Sequence, residues 1–315
     1  MRNTMVSLLT CVFSAQAGIA MAQDGPIKFL TTYTAEGSSS RTATIMTPKL
    51  EEYFGLRVEI EYSAGLDAAI AAPNDGSTIF ISTVGPMALH PNIVASSDFN
   101  PLRDLRPVTL LTATPDVLIA NAGLGISTLD ELIAYAREHP GELTYAYIAP
   151  RSIHRIEFAA LLGELRIEAR PDDSIRGPVA SMDAVASGAV DLVITTSPYV
   201  APLIENGSVV PLLVAHPTRI PLLPDVPTTV ERGVTSVPHG SWAGLFTPAG
   251  TSDEQVAHIF AAVQHAMSDP AVVAQINDLG MEISLSESPQ AFSAYIQAEG
   301  ARLKATAEQF GIAFD

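Results

Sequence analysis

Short apolar runs alternate along this chain with longer stretches whose apolar residues recur at helical spacing. Ile27 to Thr31 has the length and composition of a strand. A polar loop from Thr34 to Ser40 follows, and then a helical stretch from about Arg41 to Phe54. Arg57 to Glu61 reads as a strand with Val58 and Ile60 on one face, Pro73-Asn74-Asp75-Gly76 as a turn, and Thr78 to Ser82 and Val117 to Ala120 as further strands. Ser127 stands where it would cap a helix over Thr128 to Glu138, in which Leu129, Leu132, Ile133 and Ala136 form one stripe before the Pro140-Gly141 stop. Leu143 to Ile148 reads as a strand and about Ser152 to Leu165 as a helix. Val190 to Thr195 is a near-continuous apolar run, which suits a strand buried on both faces of a parallel sheet, and Val209 to Ala215 is another. Ser252 opens a helix striped with Val256, Ile259, Phe260 and Val263; Ser288-Pro289 opens the last one, which Gly311 ends. The alternation predicts an α/β fold with parallel sheets flanked by helices.

The length of 315 residues leaves room for two domains around one cleft. A composition of 47% hydrophobic and 16% charged residues excludes global disorder. The net charge of −17, with Lys28, Lys49 and Lys304 as the only lysines, speaks against nucleic acid and against anionic membranes, both of which are bound by neutralising phosphates. At the head of the chain, Arg2 precedes an apolar stretch from Met5 to Ala20, and Ala20-Met21-Ala22 fits a small-x-small cleavage pattern. Residues 1–22 are therefore predicted to be a secretory signal peptide, with an uncleaved anchor as the rival reading. The single cysteine, Cys11, lies inside that segment; Leu8-Leu9-Thr10 before it fits a lipidation site poorly. Past residue 22 there is no thiol, hence no disulfide, thiolate metal ligand or cysteine nucleophile.

Catalytic signatures are absent. No G-x-S-x-G elbow, H-E-x-x-H motif, Walker loop or dinucleotide fingerprint occurs. His258 and His265 are seven apart on one predicted helix, too far for an i, i+4 ligand pair, and read as solvated. Asp172 and Asp173 read as an exposed acidic turn. No cofactor and no metal are predicted. The loops after strands carry more chemistry. Ser38-Ser39-Ser40 sits before a helix, where free amides and hydroxyls make an anion site, or where one serine merely caps. Arg151-Ser152 has the same position after a later strand. Arg151, Arg155, Arg166, Arg170 and Arg176 form a local positive field whose forks suit carboxylates. The plain alternative is surface ion pairing with Glu157, Glu164, Glu168, Asp172 and Asp173, above all for Arg166 and Arg170.

Several segments resemble the periplasmic substrate-binding component of tripartite tricarboxylate transporters, the TctC/Bug family. Leu223-Pro224-Asp225-Val226-Pro227-Thr228 with Glu231 and Gly233 is similar to one family stretch, and Ser241-Trp242-Ala243-Gly244-Leu245-Phe246-Thr247-Pro248-Ala249-Gly250-Thr251 to another. Pro48-Lys49-Leu50, Asp75-Gly76, Asn100-Pro101, Asp104-Leu105, Pro107-Val108, Pro140 to Leu143 and Val190-Asp191-Leu192 match in order and spacing. The resemblance implies a two-lobe periplasmic binding protein of type II-like, Venus-flytrap form, with parallel-rich mixed sheets flanked by helices. Lobe 1 would hold residues 24–121 plus 240–315, and lobe 2 residues 122–239. It implies a non-catalytic monomer in the periplasm of a Gram-negative bacterium, which delivers a small organic anion to membrane permease subunits. Two rivals remain at this point. One is a ligand-presenting protein that serves a sensor or partner; the other is a secreted hydrolase.

The binding loops depart from the family pattern. Glu36 stands where the family has glycine, and Ser40 where it has aspartate. Tyr62 to Ala68 keeps one glycine and loses an arginine; Arg151 replaces a glycine, Ser152 keeps a hydroxyl, Arg176 keeps a charge, and Thr195 stands at an often acidic position. A carboxylate is expected to sit against Arg151, Ser152 and Arg176 from one lobe. Ser38, Ser39, Ser40, Ser82 and Thr83 would add hydrogen bonds from the other lobe, with Thr195 nearby and Tyr33, Tyr147 and Trp242 as aromatic walls. Core packing is the plain alternative for each aromatic.

Overall fold

The computed structural model describes residues 25–94, 98–237 and 240–313. The expected signal peptide lies outside the described residues. Among the described residues, eleven strands form two sheets. The first contains β1 (Ile27–Thr31), β2 (Val58–Glu61), β3 (Thr78–Thr83), β4 (Leu105–Thr114), β10 (Ser241–Pro248) and β11 (Glu282–Ile283) in the order β11-β4-β10-β3-β1-β2. The second contains β5 (Asp116–Asn121), β6 (Leu143–Ala146), β7 (Ala169–Pro171), β8 (Leu192–Thr196) and β9 (Val209–Ala215) in the order β7-β6-β8-β5-β9. Each sheet has a parallel block, β2-β1-β3 or β7-β6-β8, and antiparallel strands beside it. The remaining five pairings are antiparallel, so the sheets are mixed, with a smaller parallel share than the alternation implied. β8 shows why: it lies parallel to β6 but antiparallel to β5.

Helices cover both sheets: α1 (Ser38–Phe54), α2 (Gly65–Ala71), α3 (His90–Ile93), α4 (Pro101–Asp104), α5 (Leu129–Glu138), α6 (Ile153–Leu165), α7 (Pro178–Ser187), α8 (Ser197–Glu205), α9 (Asp253–Met267), α10 (Pro270–Asp278) and α11 (Pro289–Gln309). One face of the first sheet buries Phe29, Ile79 and Leu245 against Met46 and Leu50 of α1 and Ile259 and Val263 of α9. The second sheet has a core on each face, around Phe158 and Leu132 on one and Val193 and Val185 on the other. A fourth apolar cluster joins the two sheets' helices: Ile153 and Ile156 of α6 pack with Trp242, Phe246 and Phe292.

Three local outcomes differ from the sequence expectation. α1 begins at Ser38, with Gly37 before it, rather than at about Arg41. Serines are tolerated there because the first-turn amides need no intrahelical partner. Thr128, not Ser127, caps α5, because only Thr128 has Glu131 three residues on to close a capping box. β4 and β10, the two longest strands, carry no alternation, since β4 is buried along nearly its whole length and β10 likewise. Pro107 is accommodated in β4 because β11 covers only Thr112 and Ala113, leaving the Pro107 end of that edge unpaired.

The chain passes between the sheets at Thr114–Asp116 and returns just before Ser241. At the return, Gly240 has φ +83°, and a Cβ there would stand 2.5 Å from the Thr114 carbonyl oxygen and 2.9 Å from the Asp116 nitrogen. The two crossing segments are therefore in backbone contact, and only glycine fits both the angle and the space.

Candidate functional site: the cleft between the sheets

In each sheet the carboxyl ends of the parallel strands point the same way, the place where open α/β sheets take ligands. The two ends face each other. His90 Nε2 lies 2.9 Å from the Arg151 carbonyl oxygen, which only accepts, so that nitrogen carries the proton. Ser197 Oγ donates to the Gly280 carbonyl oxygen at 2.7 Å. A cavity of about 200 Å³ is lined by Glu36, Ser38 and Arg41 from one side and by Pro198 and Tyr199 from the other.

Helix capping divides along the same line. The helices that start after the parallel strands, α1, α2, α6, α7 and α8, have no side-chain cap, nor does the helical turn Gly85–Leu89 after β3. α3, which continues that turn, has no side-chain cap either; the other helices are capped by Asn100, Thr128, Ser252, Asp269 and Ser288. A cap is worth about 1 kcal/mol, and its omission at these starts leaves several helix ends without a side-chain partner. Such ends stabilise an anion.

The predicted residues fall into three groups. Ser38 to Ser40 form the first turn of α1. Ser39 is buried with its hydroxyl unpartnered, whereas Ser40 Oγ donates to Thr31 Oγ1 and the Tyr33 carbonyl at 2.9 and 3.1 Å. Ser82 accepts from Thr32 at 3.1 Å. Tyr33 is 42% exposed, yet its hydroxyl is tucked 3.0 Å from Thr83 Oγ1. Burial there holds the phenol above its ordinary range. These residues form one hydrogen-bonded patch at the ends of β1 and β3.

On the second sheet, Arg151, Ser152, Arg176 and Tyr147 come together. Gly177 donates to the Ile148 carbonyl at 2.8 Å, which sets the Arg176 loop beside the Arg151 loop. Both arginines are exposed, and neither side chain has a hydrogen bond or ion pair among the described residues. Ser152 Oγ donates to the Ala149 carbonyl at 2.7 Å. Tyr147 donates to Asp173, and its phenol is pushed up to about 12 by burial first and by that carboxylate second.

Two placements run against expectation. Trp242 is 3% exposed and packs edge-on against Phe292 and Tyr295, so it is a core contact rather than an open wall. Thr195 is fully buried within β8 opposite Val117, with its hydroxyl unpartnered. The surface ion pairs expected for Arg166 and Arg170 do not form among the described residues, and Glu157, one of their supposed partners, is wholly buried. Glu164 instead accepts from the Thr235 and Ser236 amides. Glu36 is exposed, lines the cavity, and has its carboxyl lowered by a hydrogen bond with Thr34.

Sequence reasoning missed Arg41, which follows the serine run and lines that cavity, and Tyr199, which faces it from α8. The run of serines at a helix start was a signal for Arg41, one turn in; Tyr199 follows a strand end but lacked any motif. His258 and His265 both lie against the Tyr53 ring, at 5.5 and 5.6 Å, rather than standing free in solvent. Burial lowers the His258 imidazole.

Two sheets joined by paired crossings, with a cleft between their strand ends, define a two-lobed solute-binding protein. The model of the tripartite tricarboxylate transporter family receptor matches residues 63–312, and the chain belongs to that family. BugT of Bordetella pertussis is 27% identical over 291 residues, covering 87% of each chain. A UPF0065 protein from the tcbD-tcbE intergenic region of Pseudomonas sp. strain P51 is 28% identical over 267 residues, 82% of this chain and 78% of that one. Among solved structures, R. palustris Rpa4515 with adipate is 27% identical with a TM-score of 0.78, covering 92% of this chain and 98% of that one. MatC of Rhodopseudomonas palustris with bound malate is 25% identical with a TM-score of 0.76, covering 90% and 99%. Among the described residues, no helix is long and apolar enough to cross a membrane.

Proposed function

We propose that this protein is a periplasmic receptor that captures a small organic carboxylate in the interlobe cleft and hands it to the membrane permease subunits of a tripartite tricarboxylate-type transporter. The observation that carries the reading is the capping split: the helices that start after the parallel strands are uncapped, and those elsewhere, apart from the short α3, are capped. Unused amides at several convergent helix starts serve a ligand that brings its own negative charge. Arg151 and Arg176, free of ion pairs, add charge-assisted donors from lobe 2. Ser38, Ser39, Thr83 and Tyr33 add polar contacts from lobe 1. The adipate and malate of two neighbours are dicarboxylates, which suits two lobes that each offer cationic or amide donors.

In this reading residues 24–115 and 240–315 form lobe 1 and residues 116–239 lobe 2; the boundary moves from the expected 121 to 115 because β5 (Asp116–Asn121) lies inside the second sheet, between β8 and β9. Residues 1–22 are removed on export, and the mature protein works as a monomer without catalysing a reaction. The test is a thermal-shift panel of malate, adipate, citrate, aromatic carboxylates and amino acids on the purified protein. A ligand at a hundred times its Kd stabilises by about 2.7 kcal/mol, so a carboxylate is expected to raise Tm by several degrees. A panel in which no carboxylate shifts Tm, or in which only cationic ligands do, overturns the proposal.

A further inference from the structure

One buried cluster, beginning in the first turn of α6, has a chemistry that does not suit the capture of an anion. Asp116 is the first residue of β5, directly after the Thr114–Pro115 crossing. His154 and Glu157 are three apart in the first turns of α6 and so share a face. Their exposures are 0%, 6% and 0%. One ligand atom from each lies within 4.8 Å of the other two, and His154 Nε2 is 3.5 Å from Asp116 Oδ2. Apart from the contacts of the Glu157 carboxyl with Asp116 and with the Gly240 backbone, the carboxylate oxygens and imidazole nitrogens have no hydrogen-bond partner among the described residues. Arg302, whose charge bears on Glu157, is already engaged by both oxygens of Glu299, at 2.7 and 3.0 Å. Two carboxylates buried against each other cost several kcal/mol per ion unless a proton or a cation neutralises them.

We propose that Asp116, His154 and Glu157 form a site for a divalent first-row transition cation of the zinc or manganese kind. One imidazole nitrogen and two carboxylate oxygens are an ordinary donor set for such ions, whereas magnesium and calcium take oxygen only. A dication also cancels the two carboxylate charges, which removes the burial penalty. A cavity of about 130 Å³ lies close by: Gly240 and Arg302, which both bear on Glu157, line it with Trp242, Tyr295 and Glu299, although none of the three proposed ligands does. The ion would tie the crossing segment to α6, whose Ile153 and Ile156 pack with Trp242 and Phe292 of the other lobe. It would thus brace the hinge and leave the ligand cleft untouched.

The experiment uses tag-free purified protein, stripped with a chelator and then titrated separately with Zn²⁺ and Mn²⁺. After gel filtration, metal analysis is expected to find about one ion per chain, and saturation to raise Tm by about 5 °C. Glu157→Gln and His154→Gln, checked for folding by circular dichroism, are expected to lose the ion and the shift. A double His258→Gln, His265→Gln variant is expected to keep both. Wild-type protein that retains less than a tenth of an equivalent of either metal overturns the proposal and assigns the neutralising charge to a proton shared by the carboxylates. So does retention of the ion by folded His154→Gln. The wild-type measurement stands even if the variants fail to fold. A failed carboxylate panel leaves this result unaffected, so the two proposals fail separately.

Discussion

Gly240 and Thr114 lie so close that a Cβ on the glycine would stand 2.5 Å from the threonine's carbonyl oxygen. The two strands of the hinge thus touch backbone to backbone. Gly240→Ala must move that contact and also hold alanine at φ +83°. We expect a loss of about 3 kcal/mol or more, read as a Tm drop of several degrees. Gly207→Ala is the matched control, since its φ is +74° with open space around it, and about 1 kcal/mol is expected there. Equal losses in the two variants would show that the crossing contact carries no extra strain.

The arginines of lobe 2 make a second prediction. Arg151 and Arg176 are exposed beside the cleft and unpaired among the described residues, while Arg166 is the C-cap of α6, with φ 55°, at the opposite end of that helix from Arg151. A charge-assisted hydrogen bond contributes about 1.5–3 kcal/mol, so Arg151→Ala and Arg176→Ala are each expected to weaken carboxylate binding roughly 10- to 100-fold. Arg166→Ala is expected to change affinity less than twofold. Isothermal titration with whichever carboxylate stabilises the wild type would decide, and an unchanged Kd in both lobe 2 variants would remove them from the site.

How much of this was legible beforehand depends on where each signal lived. Local signals were sound: Ser252 and Ser288 open helices as their side chains dictate, and Val209 to Ala215 is a strand to the residue. The mixed sheet character was harder to read, because β8 looks the same in sequence whether its neighbour runs parallel or antiparallel. β4 and β10 were missed because burial on both faces erases the period of two. At the site, the serine run and Arg151 were readable as polar groups after strands. Trp242 was not, since a ring that lines a cleft and one that fills a core have the same letter. The partners of His154 were equally hidden. The i, i+3 spacing to Glu157 was visible, but Asp116 joins them only through the crossing of the chain.

The capping split predicts a conflict between helix stability and ligand capture. Ser152 is the N-cap of α6, but its hydroxyl turns away to the Ala149 carbonyl. Ser152→Asp would place a carboxylate at that helix start and occupy the amides from within. Carboxylate affinity is expected to fall at least tenfold while Tm of the ligand-free protein is not lowered. Ser252→Ala removes a working cap on α9 and is expected to do the reverse, costing about 1 kcal/mol with affinity unchanged. If Ser152→Asp binds carboxylates as wild type does, the α6 start is not part of the anion site.

Tyr147 and Asp173 give the pH dependence. The folded phenol titrates at about 12, above its ordinary value of 10.0, chiefly through burial and then through the hydrogen bond to Asp173. The folded state therefore binds this proton more tightly than the unfolded chain. Its stabilising effect is complete below about pH 10 and is lost as pH rises toward 12. Tyr33, Tyr145, Tyr199 and Tyr295 are raised in the same direction, so the wild type is expected to lose stability steeply over that window. Tyr147→Phe is expected to flatten part of the fall in urea midpoint between pH 9 and 12. Asp173→Asn keeps the burial but removes the neighbouring charge, so one tyrosinate transition at 295 nm should move to lower pH. If both variants keep the wild-type slope and titration, Tyr147 and Asp173 are not coupled in the folded protein.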